Sequence, residues 1–187
     1  MIRNASLAIH RPMKVLNIHE RQLPVPVARA GMLVDSLSSL NDSLWPRRIW
    51  PAMTFDRPLG VGAVGGHGPI RYVVESYAPG RSIRFRFTAP KGFDGCHGFE
   101  LVTAGTRTCI LRHTLEVTAC GPAQLSWPLV FRPLHDALIE DALALAEASL
   151  GQTPTVRRWS MWVRLLRRII AGGGARPQVV PDVRFEA

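Results

Sequence analysis

Residues 121–150 read GPAQLSWPLVFRPLHDALIEDALALAEASL, and much of the architecture follows from them. Beyond Pro133 the apolar residues recur three, four or seven positions apart, which is the spacing of one buried helical face. Proline suits the first turn of a helix and Gly151 provides a stop signal, so we predict one long helix between them. Its apolar face contains Leu134, Leu138, Ile139, Ala142, Leu145, Ala146 and Leu150. Its acidic residues are expected to face solvent; they are Asp136, Glu140, Asp141 and Glu147.

The segment before this helix is broken by Pro122 and Pro128, so residues 122–132 are predicted to form a kinked lead-in. One interpretation is that the apolar side chains of the lead-in pack in the core. The other is that the kink leaves a cavity, with the same side chains in its wall. These side chains are Leu125, Trp127, Leu129, Val130 and Phe131.

The length of 187 residues and the hydrophobic content of 47% favour one main domain with a sizeable core. No apolar run approaches the roughly 20 residues of a membrane span, and the first residues lack the apolar core of a signal peptide. Cys96, Cys109 and Cys120 form no Cys-x-x-Cys pair, so we expect free thiols in a reducing compartment. Together these features predict a cytoplasmic protein, with peripheral membrane association as an addition.

The formal charge of +9 is unevenly distributed along the chain. Residues 151–187 contain seven arginines and two acidic residues, a balance of +5, which leaves +4 for residues 1–150. A body that is only mildly basic does not predict a nucleic-acid partner.

The order of patterns along the chain predicts an α+β protein. Residues 14–23 alternate as a strand does, residues 27–40 have a helical pattern, and residues 41–50 suggest a second short helix or a turn. From Pro51 to Cys120, short apolar runs alternate with turn residues, as in a meander of hairpins.

The sequence patterns divide the chain into three parts. Residues 1–12 show no period and are expected to be a disordered extension, residues 13–150 to be the domain, and residues 151–187 to be a basic helix followed by a flexible tail.

Charged residues fall on one parity of the predicted strands and apolar residues on the other, which predicts one wet and one dry face. The charged set is Arg71, Glu75, Arg84, Arg86, Glu100, Arg112 and Glu116. The dry set is Ile70, Tyr72, Val74, Ile83, Phe85, Phe87, His97, Phe99, Leu101, Cys109, Leu111, His113, Leu115 and Val117.

The succession of a strand, two short helices, a meander and a long helix, with the hairpin sequence VVESYAPGRSIRFRF at residues 73–87, resembles the SRPBCC or START-like superfamily. The resemblance covers residues 13–150. It implies a helix-grip fold, in which a curved antiparallel sheet of six to seven strands wraps round the long C-terminal helix. It also implies a cavity between sheet and helix for an apolar ligand, as in polyketide cyclase/dehydrase-like and lipid-transfer proteins.

His97 and His113 are the candidate catalytic residues, since both lie on the dry face of neighbouring predicted strands. Two polar groups in an apolar pocket suit the proton transfers of a cyclase-like or hydratase-like enzyme. The alternative is that each is a core histidine bonded to a backbone carbonyl. No third ligand stands at a recognisable spacing, so no metal site is predicted.

Seven further residues are candidates for contact with a ligand. They are Tyr72, Phe85, Phe99, Leu111, Trp127, Phe131 and His135. Tyr72 is able to donate its hydroxyl to a ligand carbonyl, or to pack as a core tyrosine. His135 faces either the cavity or the surface, and it diverges by roughly 100° from Asp136, so the two are not expected to form a dyad.

The motif GVGAVG at residues 60–65 matches the Gly-x-Gly-x-x-Gly pattern of dinucleotide sites. That chemistry requires a helix N-terminus after the glycines, whereas here more glycine and a strand pattern follow. We therefore predict a hairpin loop and no cofactor.

The sequence VRRWSMWVRLLRRII at residues 156–170 is predicted to be a basic amphipathic helix. It would pack on the body or on a second subunit, or lie on an anionic membrane, where such helices use tryptophan and arginine.

These features favour binding of a small hydrophobic molecule, such as an aromatic polyketide-like compound, a lipid or an isoprenoid. The first alternative is a cyclase/dehydrase-type enzyme that uses His97 or His113 for acid–base chemistry. The second is an adaptor that docks on a membrane or a protein through residues 156–170.

Overall fold

Seven strands form one antiparallel sheet in the computed structural model, which describes residues 11–171. The strands are β1 (Met13–Leu23), β2 (Thr54–Phe55), β3 (Val64–His67), β4 (Ile70–Ala78), β5 (Ser82–Ala89), β6 (Phe93–Thr103) and β7 (Cys109–Ala119). Their order is β1-β7-β6-β5-β4-β3-β2, so the meander closes on β1. The helices are α1 (Val27–Asp35), α2 (Ala123–Ser126), α3 (Arg132–Ser149) and α4 (Met161–Ala171). The architecture confirms the predicted α+β class.

The described residues begin after most of the predicted N-terminal extension and end before the predicted tail. Those two predictions therefore lie outside the part of the chain that the structure describes, residues 11–171.

The predicted dry and wet faces of the sheet are confirmed by the burial of alternate residues along β4 to β7. On the wet face Glu75 accepts hydrogen bonds from Arg84 at 2.9 Å and from Arg86 at 2.6 Å across the β4–β5 pair. Arg112 of β7 likewise pairs with Glu100 of β6 at 3.1 Å. Such pairs hold neighbouring strands in register from the solvent side.

Only one helix follows β1, because the chain turns instead of forming a second helix. The carboxylate of Asp42 accepts hydrogen bonds from the backbone N–H groups of Ser38, Leu44 and Trp45, at 2.8 to 3.0 Å. An aspartate that bonds nearby N–H groups in this way stabilises turns in place of helical hydrogen bonds. Residues 41–50 thus take the turn alternative, and Leu44 and Trp45 anchor it in the core.

Helix α1 is held against the β4–β5 hairpin by an exceptionally close approach. A Cβ atom on Gly31 would lie 2.7 Å from the Cα of Gly80, so only glycine allows this contact. Asp35 at the end of α1 accepts hydrogen bonds from the Tyr77 hydroxyl and the Gly80 N–H, both at 2.7 Å.

The C-terminal segment has the kinked lead-in that the two prolines predicted. A π-helical turn over Trp127–Phe131 joins α2 to α3, with Pro133 in the first turn of α3. Helix α3 buries Leu138, Ile139, Ala142, Leu143 and Ala146 against the inner face of the sheet. It ends at Ser149, and Gly151 has a φ of 77° just beyond the end.

The prediction that the acidic residues of α3 face solvent is wrong for Glu140 and Glu147, which are only 8% and 6% exposed. Polar side chains on the inner face of β1 form the contacts of the two carboxylates. Arg21 donates to Glu140 at 3.0 Å and lies 3.6 Å from Glu147. Burial of these acids is tolerated because they are paired with a cation.

Helix α4 packs on the body through Val163 and Leu166, both of which are buried. The helix begins at Met161, five residues after the predicted start, and residues 153–160 before it have no regular secondary structure. Among residues 11–171 no helix has the length and apolar character needed to cross a membrane.

Candidate ligand-binding cavity

A cavity of about 1070 Å³ lies between the inner face of the sheet and the lead-in and first turns of α3. This volume is enough to enclose a drug-sized molecule. Its apolar wall is formed by Phe87, Phe93, Leu115, Val117, Trp127, Phe131, Leu134 and Leu138, among others. No acidic residue of the described chain lines it.

The exposed residues among those that line the cavity define its mouth. These are Arg48, Pro51, Gly68, Pro69, Arg164, Arg168 and Ile170. The mouth is therefore framed by the turn segment after α1, by the β3–β4 turn and by α4.

Four histidines line the cavity, although only three of them were singled out from the sequence. The alternation of β6 and β7 points His97 and His113 inward, and their Nδ1 and Nε2 atoms are 3.3 Å apart. The ring of His135 in α3 is tilted by 52° against that of His113, with the ring centroids 5.0 Å apart. His67 enters from the end of β3, and its Nδ1 is 3.1 Å from the hydroxyl of Tyr72.

Burial keeps these imidazoles neutral. It lowers the pKa of His97 and of His113 well below the ordinary value, and the neighbouring imidazoles lower both further. Burial also lowers the pKa of His67 to about 3. The pKa of His135 is lowered by burial, partly offset by the carboxylate of Asp136. A neutral imidazole offers one donor and one acceptor, so these four side chains contribute polar groups without charge at neutral pH.

The histidine pair leaves its outer nitrogens without partners. His97 Nε2 and His113 Nδ1 are shielded from solvent and form no hydrogen bond with any described residue. The shared hydrogen bond has two tautomeric forms, in which the donor is either His97 Nδ1 or His113 Nε2. In the first form the free acceptor is His97 Nε2 and the free donor is His113 Nδ1; in the second form these roles are exchanged. A proton that enters at one end can thus leave from the other, which is the arrangement that bifunctional acid–base chemistry needs.

The structure places the seven predicted ligand contacts in two groups. Trp127, Phe131 and His135 line the cavity. The other four, Tyr72, Phe85, Phe99 and Leu111, lie fully buried in the main core and do not line it. The packing explains this, since Phe85 lies against Phe55 and Tyr72, with ring centroids 5.8 Å and 4.9 Å away. The hydroxyl of Tyr72 is occupied by His67.

His135 and Asp136 do not form a dyad, in agreement with their divergence on the helix. The closest approach is 3.6 Å, between His135 Nδ1 and Asp136 Oδ1, which is longer than a hydrogen bond. Asp136 is instead bound from β1, where Asn17 donates to it at 2.9 Å and His19 lies 3.2 Å from it.

Beside the cavity, His19 forms an ionic contact that the sequence analysis missed. Its Nδ1 is 2.8 Å from Glu140 and its Nε2 is 3.2 Å from Asp136, so one imidazole bridges two carboxylates of α3. Burial alone would lower the pKa of His19, but the hydrogen bonds to both carboxylates outweigh it and raise the pKa. Burial alone would raise the pKa of Asp136, but the nearby imidazole of His135 and the hydrogen bonds from His19 and Asn17 outweigh burial and lower it.

A signal for this contact was present in the alternation of β1. Asn17, His19 and Arg21 share one parity, while Leu16 and Ile18 on the other parity are 66% and 50% exposed. The usual rule, apolar inside and polar outside, is inverted in the middle of this strand, over residues 16–19, because the inner face there meets the acidic side of α3.

Ligand atoms of His19, His135 and Asp136 lie within 4.8 Å of one another, as they would around a metal ion. Protonation of His19 accounts for this cluster without an ion. As an imidazolium, His19 donates one hydrogen bond to Asp136 and the other to Glu140, and so balances the buried negative charge.

One side of the mouth is closed by an interlocked set of side chains that we call the tryptophan latch: Trp50, Asp141, Trp159 and Arg167. Both indoles donate to the same oxygen of Asp141, at 2.8 and 2.9 Å. The guanidinium of Arg167 lies between the two rings, 4.2 Å and 4.4 Å from their centroids, and donates to the carbonyl of Ile49. Burial raises the pKa of Asp141 and lowers that of Arg167. Cation–π contact and hydrogen bonds together fasten α4 to α3 and to the segment after α1.

Comparison with protein-family models gave no match, and comparison with curated protein sequences gave none either. Solved structures do resemble the chain. A solution structure of a protein from Thermobifida fusca is 20% identical with a TM-score of 0.55, covering 76% of this chain and 99% of its own. A point mutant of norcoclaurine synthase from Thalictrum flavum is 14% identical with a TM-score of 0.57, covering 75% and 97%. CalU16 from Micromonospora echinospora is 14% identical with a TM-score of 0.52, covering 86% and 94%.

At these identities the likeness shows the fold. The chain has the helix-grip fold that the resemblance in the sequence implied. Another structure of norcoclaurine synthase, 14% identical with a TM-score of 0.57, was solved in complex with dopamine and hydroxybenzaldehyde.

Proposed function

We propose that this protein binds a small hydrophobic molecule in the cavity between its sheet and α3. The observation that carries the proposal is the volume of about 1070 Å³ with a mainly aromatic and aliphatic wall. The complex of norcoclaurine synthase with two small aromatic molecules supports it, since that structure has the same fold. An aromatic polyketide-like compound, a lipid or an isoprenoid would each match the wall of the cavity.

Native mass spectrometry of the freshly purified protein, followed by solvent extraction, tests this proposal. We expect a bound apolar mass, or uptake of one from a panel of lipids and aromatic polyketides. A Val117→Trp variant would project a larger ring into the cavity from β7 and is expected to weaken this binding. Ile18→Trp is the matched control, because Ile18 is half-exposed on the outer face of the sheet. Equal binding by both variants would place the ligand elsewhere.

The second candidate function is acid–base catalysis of the cyclase or dehydrase kind by His97 and His113. The unpartnered outer nitrogens of this pair favour it, because a proton donor and a proton acceptor stand together in an apolar wall. Once a bound compound is identified, its turnover should fall by roughly 10²- to 10⁴-fold in His97→Gln or His113→Gln. Binding of the same compound should remain. If the parent protein binds the compound without measurable turnover, and the histidine variants only weaken this binding, carriage is left as the function.

The third candidate is docking on an anionic membrane through α4. Its packed face leaves a second apolar stripe free, formed by Met161, Trp162, Leu165 and Ile169, which are 45 to 86% exposed. Arg164 and Arg168 lie beside the stripe and complement an anionic surface. Sedimentation with anionic but not neutral vesicles is expected. A concentration-dependent dimer in light scattering, without vesicle binding, would assign the stripe to a second copy of the chain.

Two further predictions remain as part of this proposal. The three cysteines are unpaired, which is consistent with the reducing cytoplasm that we expect. The division into an extension, a domain and a basic appendix is tested by deleting residues 1–12 and measuring the melting temperature, which should hardly change.

A further inference from the structure

The arginines at the mouth of the cavity lack the carboxylate partners that neighbouring strands supply elsewhere. On the outer face of the sheet Arg84 and Arg86 are paired with Glu75. Arg48, Arg164 and Arg168 line the mouth and form no ion pair with any residue of the described chain. Three cations from two segments thus converge on one opening.

A fourth cation, Arg167, stands behind these three and is held in place. Its ring contacts with Trp50 and Trp159 fix the plane of the guanidinium. Its Nη1 atom is shielded from solvent and has no acceptor among residues 11–171. The one nearby carboxylate, Asp141, already accepts hydrogen bonds from both indoles. The mouth therefore carries a surplus of donors.

Like charges gathered beside an apolar wall repel one another more strongly than they would in open water. A bound anion reduces the repulsion among these arginines, so such a mouth attracts anionic ligands. Guanidinium groups match carboxylate and phosphate in particular, because they form paired hydrogen bonds with both.

The interior of the cavity has the opposite character. Beyond the arginines at the mouth, including Arg167 in the latch, the titratable side chains that line the cavity are four imidazoles whose pKa values are lowered by burial. A charge placed there would lose its hydration without gaining a counter-ion. An anionic group is stable at the mouth and unstable inside.

From this polarity we infer that the ligand is an amphipathic anion. Its apolar body fills the cavity, and its carboxylate or phosphate is held at the mouth by Arg48, Arg164 and Arg168. This inference rests on the proposed function and narrows the ligand to a chemical class.

The test uses three probes with the same chain: dodecanoate, its methyl ester and dodecylammonium, each kept monomeric. Binding is followed by the fluorescence of the tryptophans that line the cavity, which include Trp127. We expect dodecanoate to bind at least about tenfold more tightly than the ester, as charge-assisted hydrogen bonds allow. The ammonium should bind most weakly, and added salt should reduce the preference.

Two double variants assign the preference to the mouth. Arg164→Gln with Arg168→Gln should remove most of the difference between dodecanoate and the ester. Arg81→Gln with Arg107→Gln is the matched control, because neither residue lines the cavity.

Each outcome has a distinct meaning. Equal binding of acid and ester overturns the inference and leaves the proposed function intact, whereas no binding of any probe overturns both. A preference for the acid that survives the mouth variant overturns the assignment to these arginines. If the mouth variant loses only its binding to anionic vesicles, the arginines serve the membrane surface and the inference fails.

Discussion

A neutral histidine in an apolar wall is costly to protonate, and this one fact governs much of the behaviour expected of single residues here. His67, His97, His113 and His135 all have folded-state pKa values below the ordinary 6.5. His19 differs, because its hydrogen bonds to two carboxylates outweigh burial and raise its pKa. The two kinds of histidine therefore link stability to pH with opposite signs.

We expect the protein to lose stability as the pH falls from 7 to 5. In this range the four histidines bind protons in the unfolded chain but not in the folded protein. Each of them therefore lowers the free energy of unfolding by up to ~1.4 kcal/mol per pH unit. The contribution of His19 is complete below pH 6.5 and is lost as the pH rises through its higher folded value. Thermal melts across this range should show the decrease, with a shallower slope in the double variant His97→Gln and His113→Gln. An unchanged slope in that variant would show that the pair is not buried in neutral form.

Glu140 is the residue whose loss should matter most to the contact between β1 and α3. Glu140→Ala leaves His19 and Arg21 without their nearest carboxylate, and we expect a cost of roughly 3 kcal/mol in urea unfolding. Glu116→Ala on the exposed face of β7 is the control and should change stability by less than about 0.5 kcal/mol. Similar values for the two variants would mean that the buried network contributes little.

At the scale of elements, the tryptophan latch predicts that α4 opens separately from the sheet. Trp159→Ala removes one ring from Arg167 and one donor from Asp141. Hydrogen exchange should become faster in α4 while the β6–β7 pair keeps its protection. Met161→Ala, at a residue that is 86% exposed, should leave both unchanged. Faster exchange throughout the sheet would show that α4 belongs to the same cooperative unit.

Strands and helices were predictable from the sequence wherever a local pattern, such as alternation or a helix boundary signal, was enough to define them. Alternation assigned the faces of β4 to β7, and Pro133 with Gly151 bounded the long helix to within two residues. The rule failed on β1, since the meaning of His19 and Arg21 depends on the acidic side of a helix more than 100 residues away. Local patterns also did not distinguish a turn from a helix after α1, where the hydrogen bonds to the side chain of Asp42 stabilise the turn.

The candidate site was predictable only in part, for the same reason. The parity of the strands brought His97 and His113 together, and His135 followed from the helix. Parity alone does not say how deep a residue lies in a curved sheet. Tyr72 and Phe85 therefore share the inner face with the histidines and yet lie in the packed core.

For the whole molecule, an open cavity of this size predicts that a ligand should stabilise the fold measurably. Dodecanoate at about 100 times its dissociation constant should add about 2.7 kcal/mol, or very roughly 5–10 °C in the melting temperature of a domain of this size. Val117→Trp should show a smaller shift, because its larger ring takes up part of the cavity. A shift of equal size in both proteins would point to binding outside the cavity.

The latch also has a kinetic consequence. It joins two of the three segments that frame the mouth, so we expect its opening to widen the passage for a bulky ligand. A contact that changes only the height of this barrier slows entry and escape by the same factor. Residence time and equilibrium affinity are thereby separated: loosening the latch at Asp141, which does not line the cavity, should shorten the time that a ligand stays inside while its dissociation constant hardly moves.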